Sequence, residues 1–338
     1  MSVRVAINGF GRIGRCALRA AWNDPEIEFV HINDLTGDPL LAHLLSNDSV
    51  HGRFDQPVTV VDGGLDIGGT FVPTSAEPNP AVLPWQERQV DVVFECTGIF
   101  TARDKAQAHL DAGAHKVIIS APANGADATI CVGVNDETLD AEQHHVVSNA
   151  SCTTNCLSPF AKVLNDEFGV VQGLMTTIHA YTMDQNLLDA PHRKGDFRRA
   201  RAAGLNMVPT STGAAKAVGM VLPELAGKLN GMAIRVPTPN VSLVDLVVDL
   251  EKETTAEAIN AAFTAAANGP MKGILEASTA PLVSSDLLGN PHSSIVDTQL
   301  TMMMGSNTAK VLSWYDNEWG FSNRLADLAR LLFGLERR

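Results

Sequence analysis

No apolar run in the 338-residue chain approaches the ~18 to 20 residues that a membrane-spanning helix requires, so no partner membrane is expected. The N-terminus also lacks an apolar leader core and a cleavage site. It passes straight into Val3-Arg4-Val5-Ala6-Ile7-Asn8, from which we expect a protein that is not exported. Cysteine is scarce: the five residues, Cys16, Cys96, Cys131, Cys152 and Cys156, are odd in number and scattered. That excludes a disulfide framework and suits reduced thiols in a cytoplasmic setting. Basic residues are in deficit, 25 against 38 acidic, and the net charge of −13 is spread without long blocks. Such a field repels nucleic acid and anionic lipid, so an anionic ligand must be met by local arginines and backbone N–H groups. Repeats and low-complexity linkers are absent as well.

The length and a hydrophobic content of 45% imply about two domains with buried cores. Val3 to Ile7, a helix from Gly11 to about Trp22, and Glu28 to Ile32 followed by Asn33-Asp34 read as a βαβ unit. Val58 to Ile67 reads as a hairpin inserted in the parallel sheet, with Gly63-Gly64 expected to supply positive φ at its turn. Val90 to Glu95, Lys116 to Ile119 and His145 to Ser148 continue as buried strands, with a helix over Thr101 to Ala112. This is a doubly wound α/β domain up to about residue 150. Longer strands follow at Val171 to Thr177, Met232 to Val236 and Val241 to Leu250, with one clear helix, Thr255 to Ala267. A capping box of Thr254 and Glu257 opens that helix and Gly269 ends it, and the segment reads as a mainly antiparallel or mixed α+β domain. Apolar residues at Phe321, Leu325, Leu328, Leu331 and Leu332 predict an amphipathic helix over Glu318 to Leu335.

Gly9-Phe10-Gly11-Arg12-Ile13-Gly14 is a G-x-G-x-x-G motif after a strand and before a helix. Gly9 permits a tight turn, Gly11 lets the backbone approach a pyrophosphate, and Gly14 allows close helix–strand packing. Asp34, about twenty residues beyond Gly14, is placed to accept hydrogen bonds from both ribose hydroxyls and to repel a 2′-phosphate, which predicts NAD rather than NADP. Thr97 in Cys96-Thr97-Gly98 and Ser120 in Ile119-Ser120-Ala121 stand at further strand ends where a cofactor contact is expected.

Ser148-Asn149-Ala150-Ser151-Cys152-Thr153-Thr154-Asn155-Cys156 rings a cysteine with hydroxyls and amides, and His179 lies in Thr177-Ile178-His179-Ala180-Tyr181-Thr182-Met183-Asp184-Gln185. A thiol attacks as thiolate, and an imidazolium or a helix N-terminus lowers its pKa. Pro159 would place the helix start at about Ser158; a start at Thr153 would let the Cys152 N–H and the Asn155 amide stabilise an oxyanion. Three readings of Cys152 stand on residues alone: a catalytic nucleophile, an inert core thiol, or a metal corner with Cys156 and His179. The last lacks a C-x-x-C pair and a fourth ligand, so no metal is expected.

These motifs, with Ser211-Thr212-Gly213-Ala214-Ala215-Lys216-Ala217, Gly231-Met232-Ala233-Ile234-Arg235-Val236-Pro237-Thr238-Pro239 and Trp314-Tyr315-Asp316-Asn317-Glu318-Trp319-Gly320, resemble in order the signatures of the phosphorylating glyceraldehyde-3-phosphate dehydrogenase family. The resemblance implies a Rossmann NAD-binding domain over residues 1–151, completed by a C-terminal helix 318–338, and a catalytic domain over 152–317. It implies Cys152 as nucleophile and His179 as base; Thr182, Asp184 and Arg235 at the sugar phosphate; and Ser151, Thr153, Thr212, Gly213 and Arg199 or Arg198 at inorganic phosphate. Arg12, Ile13, Asp34, Ser120 and Asn317 would contact NAD, with Asn317 on the carboxamide. A homotetramer with residues 180–206 at an interface is implied too, as is a helix starting directly at Cys152. By this resemblance the basic run Arg193 to Arg201, which reads on charge alone as a solvated loop, becomes functional.

The run Pro191 to Arg199 is about two residues longer than the usual bacterial form, which leaves Arg199 against Arg198 open. Pro78 replaces a common basic residue near the adenine, leaving only a backbone contact there, and Ala190-Pro191 mixes features of NAD-specific and dual-cofactor members. The rival reading is erythrose-4-phosphate dehydrogenase, which usually lacks the equivalents of Tyr181-Thr182 and Ser211 to Lys216. Aspartate-semialdehyde dehydrogenase lacks the Cys152 motif. A non-catalytic protein on the same fold would be signalled by loss of Cys152 or Arg235, and both are present.

Overall fold

Strand Val3–Asn8 is buried at every position but one, and Val92–Glu95, Lys116–Ile119 and Val146–Ser148 at every position, the pattern of parallel strands covered on both faces. The computed structural model in which they are seen describes residues 2–337, leaving Met1 and Arg338 outside the description. The chain forms two compact units, Met1–Ser151 with Ser322–Arg338, and Cys152–Phe321.

The first unit carries a nine-stranded sheet in the order Ala128–Thr129, Val146–Ser148, Lys116–Ile119, Val92–Glu95, Val3–Asn8, Ile27–Asn33, Thr70–Ser75, Gly64–Ile67, Val58–Val61. The strands from Ala128–Thr129 to Thr70–Ser75 pair in parallel. The order reverses on either side of Val3–Asn8, and the crevice beyond the carboxyl ends of strands at such a reversal is where open α/β sheets bind ligands. The hairpin is not inserted between the parallel strands; it extends the sheet at one edge. Only Gly63 of its glycine pair has positive φ, 78°. Gly64 is needed for a different reason: a Cβ there would lie 2.3 Å from the carbonyl oxygen of Val72 on the next strand.

The C-terminal helix runs Trp319–Leu332, shorter than its apolar spacing predicts. Gly334 takes φ 73°. Its N–H bonds to Leu331 O and that of Leu335 to Arg330 O, a Schellman ending that closes the last turn. Within the first unit Arg330 pairs with Asp24 and with Asp327, all buried.

The second unit has a mixed eight-stranded sheet, with Val208–Ser211, Leu229–Val236, Val170–Ala180, Ser242–Leu250, Thr308–Tyr315, Ser294–Asp297 and Leu275–Ser278 in sequence and Met302–Met304 paired beside Thr308–Tyr315. Buried and open positions alternate along Ser242–Leu250 and Thr308–Tyr315, so one face is covered and the other open. Helices Cys152–Phe168, Ala214–Val221 and Ala256–Asn268 accompany the sheet, two more than the one clear helix of the sequence. Thr255, not Thr254, caps the last of these, its hydroxyl accepting the Ala258 N–H, because the first helical residue is Ala256.

Pro159 does not start a helix at Ser158; it lies inside one that begins at Cys152. The proline removes the bond to the carbonyl one turn back, a change that costs about 3 kcal/mol in an ordinary helix interior. The Ser158 hydroxyl donates to Thr154 O at 2.7 Å in the same turn, and residues 153–161 are buried throughout, so packing offsets the loss. Among the described residues no helix is long and apolar enough to cross a membrane.

Candidate active site

The glycine motif spans the turn between strand Val3–Asn8 and helix Arg12–Ala21. Gly9 has φ 92°, and a Cβ on it would lie 2.6 Å from the Thr97 nitrogen. At Gly14 a Cβ would meet Gly9 O at 2.4 Å. At Gly11, by contrast, it would meet nothing within 4 Å, and no side chain caps the helix there. The turn is thus closed on the protein side and open on the side its helix N-terminus faces, a cradle that fits a pyrophosphate. Asp34 Oδ2 accepts the Phe10 N–H at 2.7 Å and Oδ1 accepts that of Thr36 at 2.9 Å, which fixes the carboxylate beside the turn. Ser120 donates its hydroxyl to Glu95 O.

Arg12 is held by a residue the sequence did not single out. Its Nη1 and Nη2 donate to the two carboxylate oxygens of Asp48, at 2.5 and 3.2 Å. Burial raises the Asp48 carboxyl, but the His51 and Val50 N–H groups and the Arg12 guanidinium outweigh this and hold it at about 2. No spacing signal connects Asp48 to Arg12; the link exists only once the strand pair Asn47–Asp48 and Gly52–Arg53 forms.

In the second unit Cys152 is the first residue of its helix, preceded by Ser151 and by Ala150 at φ 55°, a left-handed turn for a non-glycine residue. Its Sγ lies 3.6 Å from His179 Nε2. His179 Nδ1 is 2.7 Å from Ala180 O, which only accepts, and 3.2 Å from Arg235 Nη1, which only donates; the shorter contact assigns the proton to Nδ1 and turns the Nε2 lone pair to the sulfur. Burial, and then the Arg235 charge, push the His179 pKa down to about 3, so the ring is neutral near neutral pH. Burial pushes the Cys152 thiol up, against the opposing pull of Arg235, the Thr153 hydroxyl and the Thr153 and Cys152 N–H groups.

With the helix starting at Cys152, Asn155 lies in its first turn and is buried, at 2% exposure. Thr153 is also buried. Its hydroxyl and that of Thr177 both contact Tyr315 Oη, at 2.9 and 2.8 Å, and the Tyr315 ring meets His179 edge to face. Cys156 points away from the pair, donating to Ser313 O at 3.6 Å, and burial pushes its thiol up to about 12.

Arg235 Nη1 donates to Ala180 O at 3.1 Å and to Thr182 Oγ1 at 2.8 Å, which places a guanidinium beside His179. The Thr182 hydroxyl donates to Asp184, and Asp184 pairs with Arg199. Burial raises the Asp184 carboxyl, but Thr182, Arg235 and Arg199 hold it below the ordinary range. Of the two adjacent arginines, Arg199 joins this chain and also reaches Thr210 Oγ1 at 3.1 Å, while Arg198 contacts Pro209 O. Thr212 and Gly213 precede helix Ala214–Val221, with the Thr212 hydroxyl accepting the Ala214 N–H.

Asn317 is also fixed by residues the sequence did not mark. Ala180 N donates to Ser242 Oγ at 3.0 Å, and the Ser242 hydroxyl donates to Asn317 Oδ1 at 2.8 Å, which fixes the orientation of the Asn317 amide. Asn240 Nδ2 bonds to Asp316 at 2.8 Å, and Val241 between these two anchors sits at φ 67°, a rare conformation for a β-branched residue.

A dinucleotide-binding α/β unit followed by a unit that pairs a thiol with a neutral imidazole beside clustered arginines defines an NAD-dependent oxidoreductase. The glyceraldehyde 3-phosphate dehydrogenase NAD binding domain matches residues 3–103, and the C-terminal domain of the same family matches residues 151–317. Glyceraldehyde-3-phosphate dehydrogenase 1 of Bacillus subtilis (strain 168) is 60% identical over 329 residues, covering 97% of this chain and 98% of the relative. The enzyme of Geobacillus stearothermophilus is 59% identical over 329 residues, again 97% and 98%. That of Mycolicibacterium smegmatis is 58% identical over 340 residues, 98% and 99%. The chain belongs to the glyceraldehyde 3-phosphate dehydrogenase family.

Proposed function

We propose that the chain oxidises D-glyceraldehyde 3-phosphate to 1,3-bisphosphoglycerate with NAD and inorganic phosphate, through a thioester on Cys152. The observation that carries this is the Nε2 lone pair of His179, aimed at Cys152 Sγ from 3.6 Å by the bond from Nδ1 to Ala180 O. Sγ bonds to the aldehyde carbon as its proton passes to Nε2, and the proton then moves to the new alkoxide, giving a thiohemiacetal. His179 next removes the hydroxyl proton while the carbon gives up its hydride, leaving the thioester. Bound NAD supplies one thing, acceptance of that hydride. A phosphate oxygen then attacks the acyl carbon, and Sγ departs with its electron pair to be reprotonated.

Arg235 and Thr182, with Asp184 behind them, hold the substrate phosphate. Ser151, Thr153, Arg199, Thr212 and Gly213 surround the attacking phosphate, with Thr153 contributing its helix-terminal N–H because its hydroxyl faces Tyr315. Gly9, Gly11, Arg12, Ile13, Gly14, Asp34, Thr97 and Ser120 receive the dinucleotide, and Asn317 the carboxamide.

The site is assembled in a cytoplasmic homotetramer. The tetramer's support is exposed apolar surface: Met183, Leu187, Leu188, Phe197 and Leu205 lie open on the segment 183–205, and Leu174 and Val247 lie open as cross-strand neighbours in the second sheet, with Met302 beyond Lys310 in the same row.

The deciding experiment follows NADH formation with the three- and four-carbon aldose phosphates, with and without inorganic phosphate. Turnover is expected only with glyceraldehyde 3-phosphate and phosphate together, and Cys152→Ser is expected to abolish it. Equal turnover without phosphate, or faster oxidation of erythrose 4-phosphate, would sink the proposal.

A further inference from the structure

Beneath the loops at the carboxyl ends of the first unit's strands runs a set of buried polar side chains that the proposed reaction does not use. Glu95 is 1% exposed and His109 fully buried. An indole N–H only donates, so Trp85 Nε1, 3.0 Å from His109 Nδ1, makes that nitrogen an acceptor. The ring proton is therefore on Nε2, which donates to Glu95 Oε2 at 3.0 Å. From the opposite side the Ser75 hydroxyl donates to Asn33 Oδ1, Asn33 Nδ2 to Asn8 Oδ1, both at 2.7 Å, and Asn8 Nδ2 to Glu95 Oε2 at 2.6 Å. Both arms end as donors on one carboxylate oxygen. The other oxygen receives the Thr97 N–H at 2.8 Å and the Thr97 hydroxyl. Four donors saturate a carboxylate, and they compensate a buried charge that no lysine or arginine pairs with among the described residues.

The same network reaches a second loop. Asn33 Nδ2 donates to Glu77 O and Asn33 Oδ1 accepts the Glu77 N–H, both at 2.9 Å. Gly9 lies against Thr97, and Asp34 follows directly on Asn33, so both loops border the glycine turn. With its N–H and O–H committed to Glu95, Thr97 is left its carbonyl oxygen to present to a ligand.

We infer that Glu95 is a positioning residue for the dinucleotide site, fixing Thr97 directly and Glu77 through Asn8 and Asn33, so that the two loops stand at a set separation around the adenosine half of NAD. This rests on the cofactor reading above. Glutamine at position 95 keeps the shape but replaces one acceptor oxygen with an NH2 group, which must face either Thr97 or the Asn8–His109 pair, donor against donor.

The test is calorimetric binding of NAD and of ADP-ribose to wild type, Glu95→Gln, Thr97→Val and the double variant, with thermal midpoints and steady-state kinetics alongside. Glu95→Gln is expected to weaken both ligands alike, by about tenfold or more, raising KM for NAD while kcat at saturating NAD stays within about twofold. Thr97→Val is expected to lose about threefold, and the double variant less than the product of the two. A folded Glu95→Gln protein with wild-type affinity, or losses that multiply, overturns the inference. Should Glu95→Gln not fold, unaltered affinity in Thr97→Val does the same. A wild type that binds no NAD overturns the cofactor reading itself, and this one with it.

Discussion

At the residue scale, the chemistry turns on which atoms are already engaged. His179 turns Nε2 toward Cys152 while its Nδ1 bonds to Ala180 O, and Arg235 Nη1 binds Ala180 O and Thr182 Oγ1 from the same side. Those two bonds, with His179 Nδ1 at 3.2 Å, engage one guanidinium nitrogen of the fork. Arg235→Lys keeps the charge but not the fork. It is expected to raise KM for glyceraldehyde 3-phosphate by about tenfold or more, with Cys152 still alkylated by iodoacetamide at a measurable rate. Unchanged KM would remove Arg235 from the phosphate pocket. Cys152, His179 and Asp34 were singled out from the sequence as site candidates because the type of each side chain limits what it can do. Asp48, Ser242 and the Thr153–Tyr315 contact were not, since serine, threonine and aspartate are common and their partners lie far off along the chain.

At the element scale, the glycines of the first turn differ in what they protect. Gly11 faces open space, whereas a Cβ at Gly14 would overlap Gly9 O. Gly11→Ala is therefore expected to keep a wild-type thermal midpoint and lose NAD affinity, and Gly14→Ala to lower the midpoint itself; calorimetry with thermal unfolding separates the two. Reversed behaviour would show that the cradle is elsewhere. The cap of helix Ala256–Asn268 gives a second contrast: Thr255→Ala is expected to cost about 1 kcal/mol in denaturant unfolding and Thr254→Ala close to nothing. Sequence placed that helix but slid its cap by one residue, because two adjacent threonines carry the same signal and only the backbone trajectory chooses. The family resemblance set the next helix to start at Cys152, as observed, whereas residue pattern alone pointed to about Ser158. Proline is a strong local stop, and the packing that overrides it at Pro159 comes from helix Ala214–Val221 and the strands Thr308–Tyr315 and Ser294–Asp297, all more than fifty residues from Pro159 in the chain.

At the scale of the whole molecule, two buried neutral histidines set a pH dependence. Burial, then the Arg88 charge, lowers His31 from its ordinary 6.5 to about 4, and His179 falls to about 3. Between these values and 6.5 the unfolded chain binds protons that the native one does not. Stability is therefore held above pH 6.5 and lost as pH falls toward 4, at up to about 1.4 kcal/mol per pH unit for each group. His31→Gln is expected to make the thermal midpoint fall less steeply from pH 6.5 to 4; parallel curves would exclude His31 from the effect.

The sequence alone determined the two-part plan, the glycine turn and the mixed second sheet, and marked Cys152 and His179 as candidates, because periodicity, glycine spacing and a cysteine–histidine motif are local and chemically restrictive. Tertiary structure alone decided the hydrogen-bond partners of His179, the partner of Arg12 and the residue that caps helix Ala256–Asn268. It alone also joined Glu95 to Trp85, Asn8 and Thr97. Each of these depends on what surrounds a group once it is buried, and burial is a property of the packed chain.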